Sequence, residues 1–195
     1  MDGFDHPRID LEQYPTPAEL AASIIHFADL RGDIAKRCVL DLGSGPGIFA
    51  IGAGFRNPTR VIGLEIDAQA IDIAVNNCAQ IRPPISPEWV RGNAMNPPIC
   101  TEGEATVFMN PPFGAQRGNV HADRAFLRAA IPLARVTYSI HNAGSSEFME
   151  AFTADNEGEI TDIVSMEMDL SRQFDFHELD ETSIQTELYR TVWED

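Results

Sequence analysis

The sequence predicts an α/β fold, a seven-stranded, mostly parallel sheet with helices on both faces. Three observations predict it. From residue 37 onward, short apolar runs alternate with helical stretches, the pattern of a parallel sheet covered on both sides. The first run, "RCVLDLG", leads into a glycine-rich turn and a helix start. The last two runs are long, alternate in polarity and have no helix between them, which predicts an antiparallel pair at one end.

The elements follow in order. "RCVLDLG" has the shape of a short buried strand, and "GIFAIGAGF" of a helix carrying Gly52 and Gly54. "RVIGLEID" is a second strand, and "AQAIDIAVNNCAQI" a helix with Ile71, Val75 and Cys78 on one stripe. "PEWVRGNA" is a short third strand, and "ATVFMN" a fourth that ends at Asn110. "ADRAFLRAAIPLA" reads as helix, "RVTYSIH" as a fifth strand, and "SSEFMEAFTADNE" as a helix with Ser145 placed to cap it. "EITDIVSMEMDL" and "SIQTELYRTVWE" complete the sheet. The length suits one domain over residues 1–195, with an N-terminal arm and helix over 1–36 and the α/β core over 37–195.

Composition narrows the setting. No apolar run is long enough for a membrane span, and "MDGFDHPRID" lacks the basic start and apolar core of a signal peptide. Cys38, Cys78 and Cys100 are scattered and read as reduced thiols, with a cytoplasmic location expected. His121, His141 and His177 lack metal-binding spacing, so no metal is expected. The net charge is −16, and Lys36 is the one lysine among 14 basic residues. Many acids with almost no lysine suggest adaptation to a saline cytoplasm. Such a charge argues against a nucleic-acid substrate, except in molar salt, where the Debye length falls to about 3 Å.

The turn "LGSGPGI" carries the cofactor signal. Gly43, Gly45 and Gly47 permit a left-handed backbone and close approach of a ligand. Ile48 stands where a dinucleotide fingerprint needs its third glycine, so a pyrophosphate cradle is disfavoured. The pattern suits S-adenosylmethionine instead. Glu65 ends the second strand, where a carboxylate accepts hydrogen bonds from ribose hydroxyls. Asp67 follows as a helix cap or a solvent-facing acid, and Asn93 is expected at the adenine.

"MNPP" occurs twice, with Asn96 and with Asn110. Asn110 ends the fourth strand, and ligands of such sheets bind at strand carboxyl ends. Phe113 follows its prolines directly; Asn96 is taken as a loop turn. The Asn110 side-chain oxygen and the Pro111 carbonyl would each accept one N–H of a planar exocyclic amine. That orients its nitrogen without a strong base. Pro111 and Pro112 stiffen the segment, and Phe113 offers a face for a flipped base. Arg117 is a candidate phosphate contact, and His177 a candidate substrate contact.

"LDLGSGPG", "GLEID" and "MNPPFG", in that order, resemble the Asn-Pro-Pro-aromatic amino-methyltransferases of the Rossmann-like class. With "DGFDHPRIDLEQYPTP", "AFLRAA" and "YSIH", the chain resembles the methyltransferase-like protein five family over nearly its whole length. That resemblance implies a class I sheet of order 3-2-1-4-5-7-6 and methylation of adenosine N6 in small-subunit ribosomal RNA. It implies Gln13 and Thr16 closing over S-adenosylmethionine from the arm, with Asp41, Gly43, Gly45, Pro46, Gly47, Ile48, Glu65, Asn93, Ala94 and Asn110 forming the rest of the site. It also implies a small zinc-ribbon activator protein bound as a heterodimer partner at the edge of the third strand. The chain departs from the family in having Glu65 and Asn93 where Asp is common, and in lacking basic residues around "FDFHELDET". The competing function is glutamine N5 methylation of a translation release factor, whose enzymes usually carry Tyr after the Asn-Pro-Pro. A DNA methyltransferase is disfavoured because no segment is left for target recognition. A non-enzymatic cofactor-binding subunit is disfavoured by Asn110 and Phe113.

Overall fold

The computed structural model describes residues 1–4, 7–8, 11–101, 104–112, 122–171 and 181–193. Phe113, Arg117, His121 and His177 lie outside the described residues. The chain order is α1 (Ala18–Leu30), β1 (Cys38–Leu42), α2 (Ile48–Ala53), β2 (Arg60–Glu65), α3 (Ala68–Ile81), β3 (Glu88–Arg91), β4 (Ala105–Met109), α4 (Ala122–Ala130), β5 (Ala134–Asn142), α5 (Ser146–Asp155), β6 (Gly158–Ser171) and β7 (Glu181–Trp193). A single 3-10 turn, Ile131–Leu133, joins α4 to β5. The sheet order is β3-β2-β1-β4-β5-β7-β6, as the resemblance implied. β1 through β5 pair in parallel, and β7 runs antiparallel to both β5 and β6.

The central strands β1, β2, β4 and β5 are buried on both faces because their alternate residues feed two separate cores. One contains Leu40, Leu42, Val107 and Met109 and is closed by Phe126 and Leu127 of α4 and Met149 and Phe152 of α5. The other contains Val39, Val61 and Phe108 and is closed by α1 and α2. α1 buries Ala21, Ile24, Ile25 and Ala28, the i, i+3, i+4, i+7 stripe that a helix needs against a sheet. Phe108 stacks between Phe49 and Tyr138, with ring centroids 5.6 and 5.1 Å away. No described helix is long and apolar enough to cross a membrane.

Two local expectations are corrected. α3 buries Ala70, Ala74 and Asn77, whereas Val75 is 46% exposed. The alanines let α3 approach the glycine turn closely: a Cβ at Gly47 would stand 3.1 Å from the Ala74 Cβ. Ser145 does sit at the α5 N-cap, but its hydroxyl donates to the Asn142 carbonyl 2.7 Å away and caps no helical N–H. Asp67 caps α3 by accepting from the Gln69 N–H, and it is buried.

Candidate active site

The carboxyl ends of β1, β2, β3 and β4 open onto two adjoining cavities, of about 500 and 280 Å³. Phe4, Tyr14, Gly43, Gly45 and Asn110 line both. The larger is also lined by Thr16, Asp41, Ser44, Pro46 and Ile48, and the smaller by Gln13, Glu65, Asn93, Ala94, Pro112 and Phe126. Of the residues expected at the site, Gly47 and Pro111 line neither cavity.

The glycine turn is shaped by its neighbours. Gly43, Gly45 and Gly47 have φ of 75°, 49° and 89°. A Cβ at Gly45 would stand 2.9 Å from the Phe4 ring, and one at Gly47 would stand 2.5 Å from the Trp89 ring. Gly45 therefore admits the arm from above, and Gly47 admits the β3 tryptophan from below. Trp89 is thus a packing residue beneath the turn.

The carboxylates show how the cleft treats charge. Glu65 Oε2 accepts the Gly45 N–H at 2.9 Å, and Oε1 accepts those of Ile66 and Asp67 at 2.8 and 2.9 Å. The extra methylene of Glu lets the carboxylate fold back onto its own turn. Burial raises its pKa above the ordinary carboxylate range, and the three N–H donors offset this in part. Asp41 Oδ2 accepts the Ala50 N–H at 2.9 Å. Burial pushes the Asp41 carboxyl up to about 7, opposed by that hydrogen bond and reinforced by Glu65.

Asn110 is held from one side only. Its Nδ2 donates to Thr16 Oγ1 at 3.1 Å, while its Oδ1 is buried without a partner. The Ser44 hydroxyl is likewise buried and unpartnered. An unmet buried acceptor costs about 1–3 kcal/mol, and these two stand in cavity walls where a ligand could satisfy them. The other "MNPP" behaves differently: Asn96 is exposed and closes a turn through its N–H to the Asn93 carbonyl at 3.0 Å. Asn93 Oδ1 accepts the Met95 N–H at 2.9 Å, which leaves its amide nitrogen as a donor at the cavity rim. Both ends of Gln13 are engaged: Nε2 donates to Asp67 Oδ2 at 2.9 Å, and Oε1 accepts the Arg8 N–H at 2.8 Å. Gln13 thereby fastens the arm to the start of α3.

His141, near the end of β5, is buried, and burial lowers its pKa to about 4, so the imidazole is neutral. Its Nε2 lies 2.9 Å from Ser139 Oγ. Among the described residues, no three metal-ligating side chains cluster.

Sequence reasoning missed Phe4, Tyr14, Ser44 and Phe126 as lining residues. Three of them stand in stretches that carried the resemblance, "DGF", "EQYPT" and "AFLRAA". For Phe4 and Tyr14, aromatic character in the N-terminal arm was the available signal; Phe126 lies on α4.

Comparison with known proteins gives the family. The methyltransferase small domain model matches residues 22–135. An uncharacterised protein of Methanocaldococcus jannaschii is 33% identical over 95% of this chain and 86% of its own length. The rRNA N6-adenosine-methyltransferase METTL5 of Danio rerio is 30% identical over 97% of this chain and 92% of its own. A crystal structure described as a candidate RNA methyltransferase from Pyrococcus horikoshii superposes with a TM-score of 0.88 at 32% identity, covering 100% of this chain and 93% of that one. The chain belongs to the methyltransferase small domain family, in the group that includes the METTL5 relatives.

Proposed function

We propose that this protein transfers a methyl group from S-adenosylmethionine to the N6 amine of an adenosine in small-subunit ribosomal RNA. The observation that carries this reading is Asn110 Oδ1, a buried acceptor without a partner in the wall common to both cavities. The rRNA N6-adenosine activity of the METTL5 relative supports an adenosine of ribosomal RNA as substrate.

The residues present fit the cofactor. Asp41 keeps one carboxylate oxygen without a described partner in the larger cavity, suited to a cationic amino group. Ser44, whose hydroxyl is buried and unpartnered, lines the same cavity. Glu65 and the amide of Asn93 border the smaller cavity, suited to a ribose and a purine. Bound there, S-adenosylmethionine would supply an electrophilic methyl group on a sulfonium.

The rest is positioning by the chain. The Thr16 hydroxyl accepts the Asn110 Nδ2–H and so fixes which amide atom is free to accept. Asn110 Oδ1 accepts one N–H of the target amine, and the Pro111 carbonyl the other. Both acceptors stabilise positive charge as it builds on the nitrogen. Pro111 and Pro112 hold φ near its fixed value, so the carbonyl needs no reorganisation. Phe113, outside the described residues, is assigned to stack on the flipped base.

The same reading takes the acidic surface as salt adaptation in a cytoplasmic archaeal enzyme. It also assigns a zinc-ribbon activator protein to β3. That strand pairs with β2 alone among the described strands, and the loops beside it expose Ile66 and Met95. Co-purification of a small zinc protein from the native host tests the pairing, and a stable, fully active monomer contradicts it. Mapping N6-methyladenosine in ribosomal RNA with and without the gene tests the activity. Loss of one site on deletion is expected, and an unchanged map contradicts the reading.

A further inference from the structure

The buried stripe of α3 is alanine, alanine, asparagine: Ala70, Ala74 and Asn77. Asn77 is 0% exposed. A third alanine would satisfy the packing, and a buried amide is costly unless every valence is met. Each valence here is met by backbone from outside the helix. Nδ2 donates to the Asp2 carbonyl at 2.9 Å and to the Pro46 carbonyl at 3.1 Å, and Oδ1 accepts the Asp2 N–H at 2.8 Å. One turn further on, Gln80 Nε2 reaches the Asp2 carboxylate at 3.5 Å.

These bonds join two segments that meet at the cleft. Pro46 belongs to the glycine turn, and Met1, Asp2, Gly3 and Phe4 line the larger cavity. Phe4 borders both cavities and rests on Gly45. We infer that Asn77 is a latch that holds the segment Met1–Phe4 as a wall of the cofactor site, and so positions Phe4 over the turn. The inference rests on the cofactor reading above. Asn77 touches no ligand itself; it acts through Asp2 and Pro46. Gln13 and Thr16 fasten the later part of the arm, to Asp67 and Asn110 respectively. The arm is thus pinned on both sides of the cleft, and Asn77 is the pin nearest the chain start.

The test measures S-adenosylhomocysteine affinity of the full chain by calorimetry, together with amide hydrogen exchange over residues 1–16. Asn77→Ala should weaken binding about tenfold, since the three hydrogen bonds that hold the segment are lost and part of that loss falls on the free state. Exchange at Asp2 through Phe4 should rise at the same time. Deleting Asp2–Phe4 should weaken binding by a similar factor, and the combined variant should be no worse than either alone. Asn77→Asp keeps an acceptor for the Asp2 N–H but turns a buried carboxylate oxygen toward the Asp2 and Pro46 carbonyls, so it should weaken binding at least as much as Asn77→Ala. If Asn77→Ala does not fold, the deletion carries the test. Unchanged affinity on removing Asp2–Phe4, or Asn77 and deletion effects that multiply, would overturn the latch. Equal affinity in wild type and Asn77→Ala overturns it too, and leaves the cofactor reading standing. A wild-type chain that binds no S-adenosylhomocysteine sinks the cofactor reading and the latch with it.

Discussion

Two buried polar regions sit in one sheet and are built in opposite ways. Toward the amino ends of the strands, Asp33 accepts from Arg190 Nε at 2.8 Å, from Arg190 Nη2 at 3.2 Å and from the Tyr138 hydroxyl. Its backbone carbonyl takes the Thr106 hydroxyl, and Arg190 Nη1 donates to Thr161 at 2.6 Å. That network ties the turn before β1 to β4, β5 and β7 and leaves none of its charges unpaired. At the carboxyl ends, Asn110 Oδ1 and Ser44 Oγ have no partner, and burial pushes Asp41 up to about 7. The paired charges serve the fold, whereas Asn110, Ser44 and Asp41 gather in cavity walls where a ligand could satisfy them.

The comparison breaks first at its saturated end. Asp33→Ala should cost about 3–5 kcal/mol of stability, because Arg190 is left with an uncompensated charge in a mostly buried position. Urea unfolding measures this, and a loss below about 1 kcal/mol would remove the structural role. Methyl transfer per folded molecule should change little.

Asp41 sharpens the other end. Its folded pKa lies above the ordinary value of 3.8, so it stabilises the unliganded fold at low pH. That contribution is lost as pH rises from 3.8 to about 7. A cationic ligand reverses the preference and needs the carboxylate. Binding of S-adenosylhomocysteine, with its ammonium group, should therefore release a proton near pH 6 and tighten as pH rises to about 7. Calorimetry in buffers of differing ionisation enthalpy reads the proton. Asp41→Asn should abolish the release, and a pH profile identical in the variant would contradict the assignment.

The smallest effect is at Ser44. Ser44→Ala removes an unpaired buried hydroxyl, so stability should stay level or rise by less than about 1 kcal/mol. Ligand affinity should fall severalfold. The two quantities moving together downward would mean that Ser44 is structural.

Much of this was legible in the residues. The strands follow apolar runs, and β4 delivers Asn110 to the carboxyl edge because "ATVFM", apolar except for Thr106, is buried throughout. The strand order came from resemblance, since periodicity does not reveal which strands are neighbours. The α3 stripe was misjudged because a hydrophobic count favours Val75 over small residues, whereas proximity to the glycine turn requires Ala70 and Ala74. The Asn77 contact with Asp2 joins positions 75 residues apart, and no local pattern signals it. Gln13 lines the smaller cavity, and its side chain also ties down the arm through Asp67, which is buried where solvent exposure was one of two expectations.

The central claim is that the unpaired acceptor of Asn110 marks the methyl-transfer site. The direct measurement is single-turnover transfer from labelled S-adenosylmethionine to ribosomal RNA lacking the modification, with nucleosides identified after digestion. The wild-type chain should yield N6-methyladenosine, Asn110→Ala should lose about 10²–10³ in rate, a loss far larger than any change in S-adenosylhomocysteine affinity, and Asn96→Ala should match wild type. Labelled glutamine in a release factor with no labelled RNA, or an Asn110→Ala variant as fast as wild type, would contradict the account.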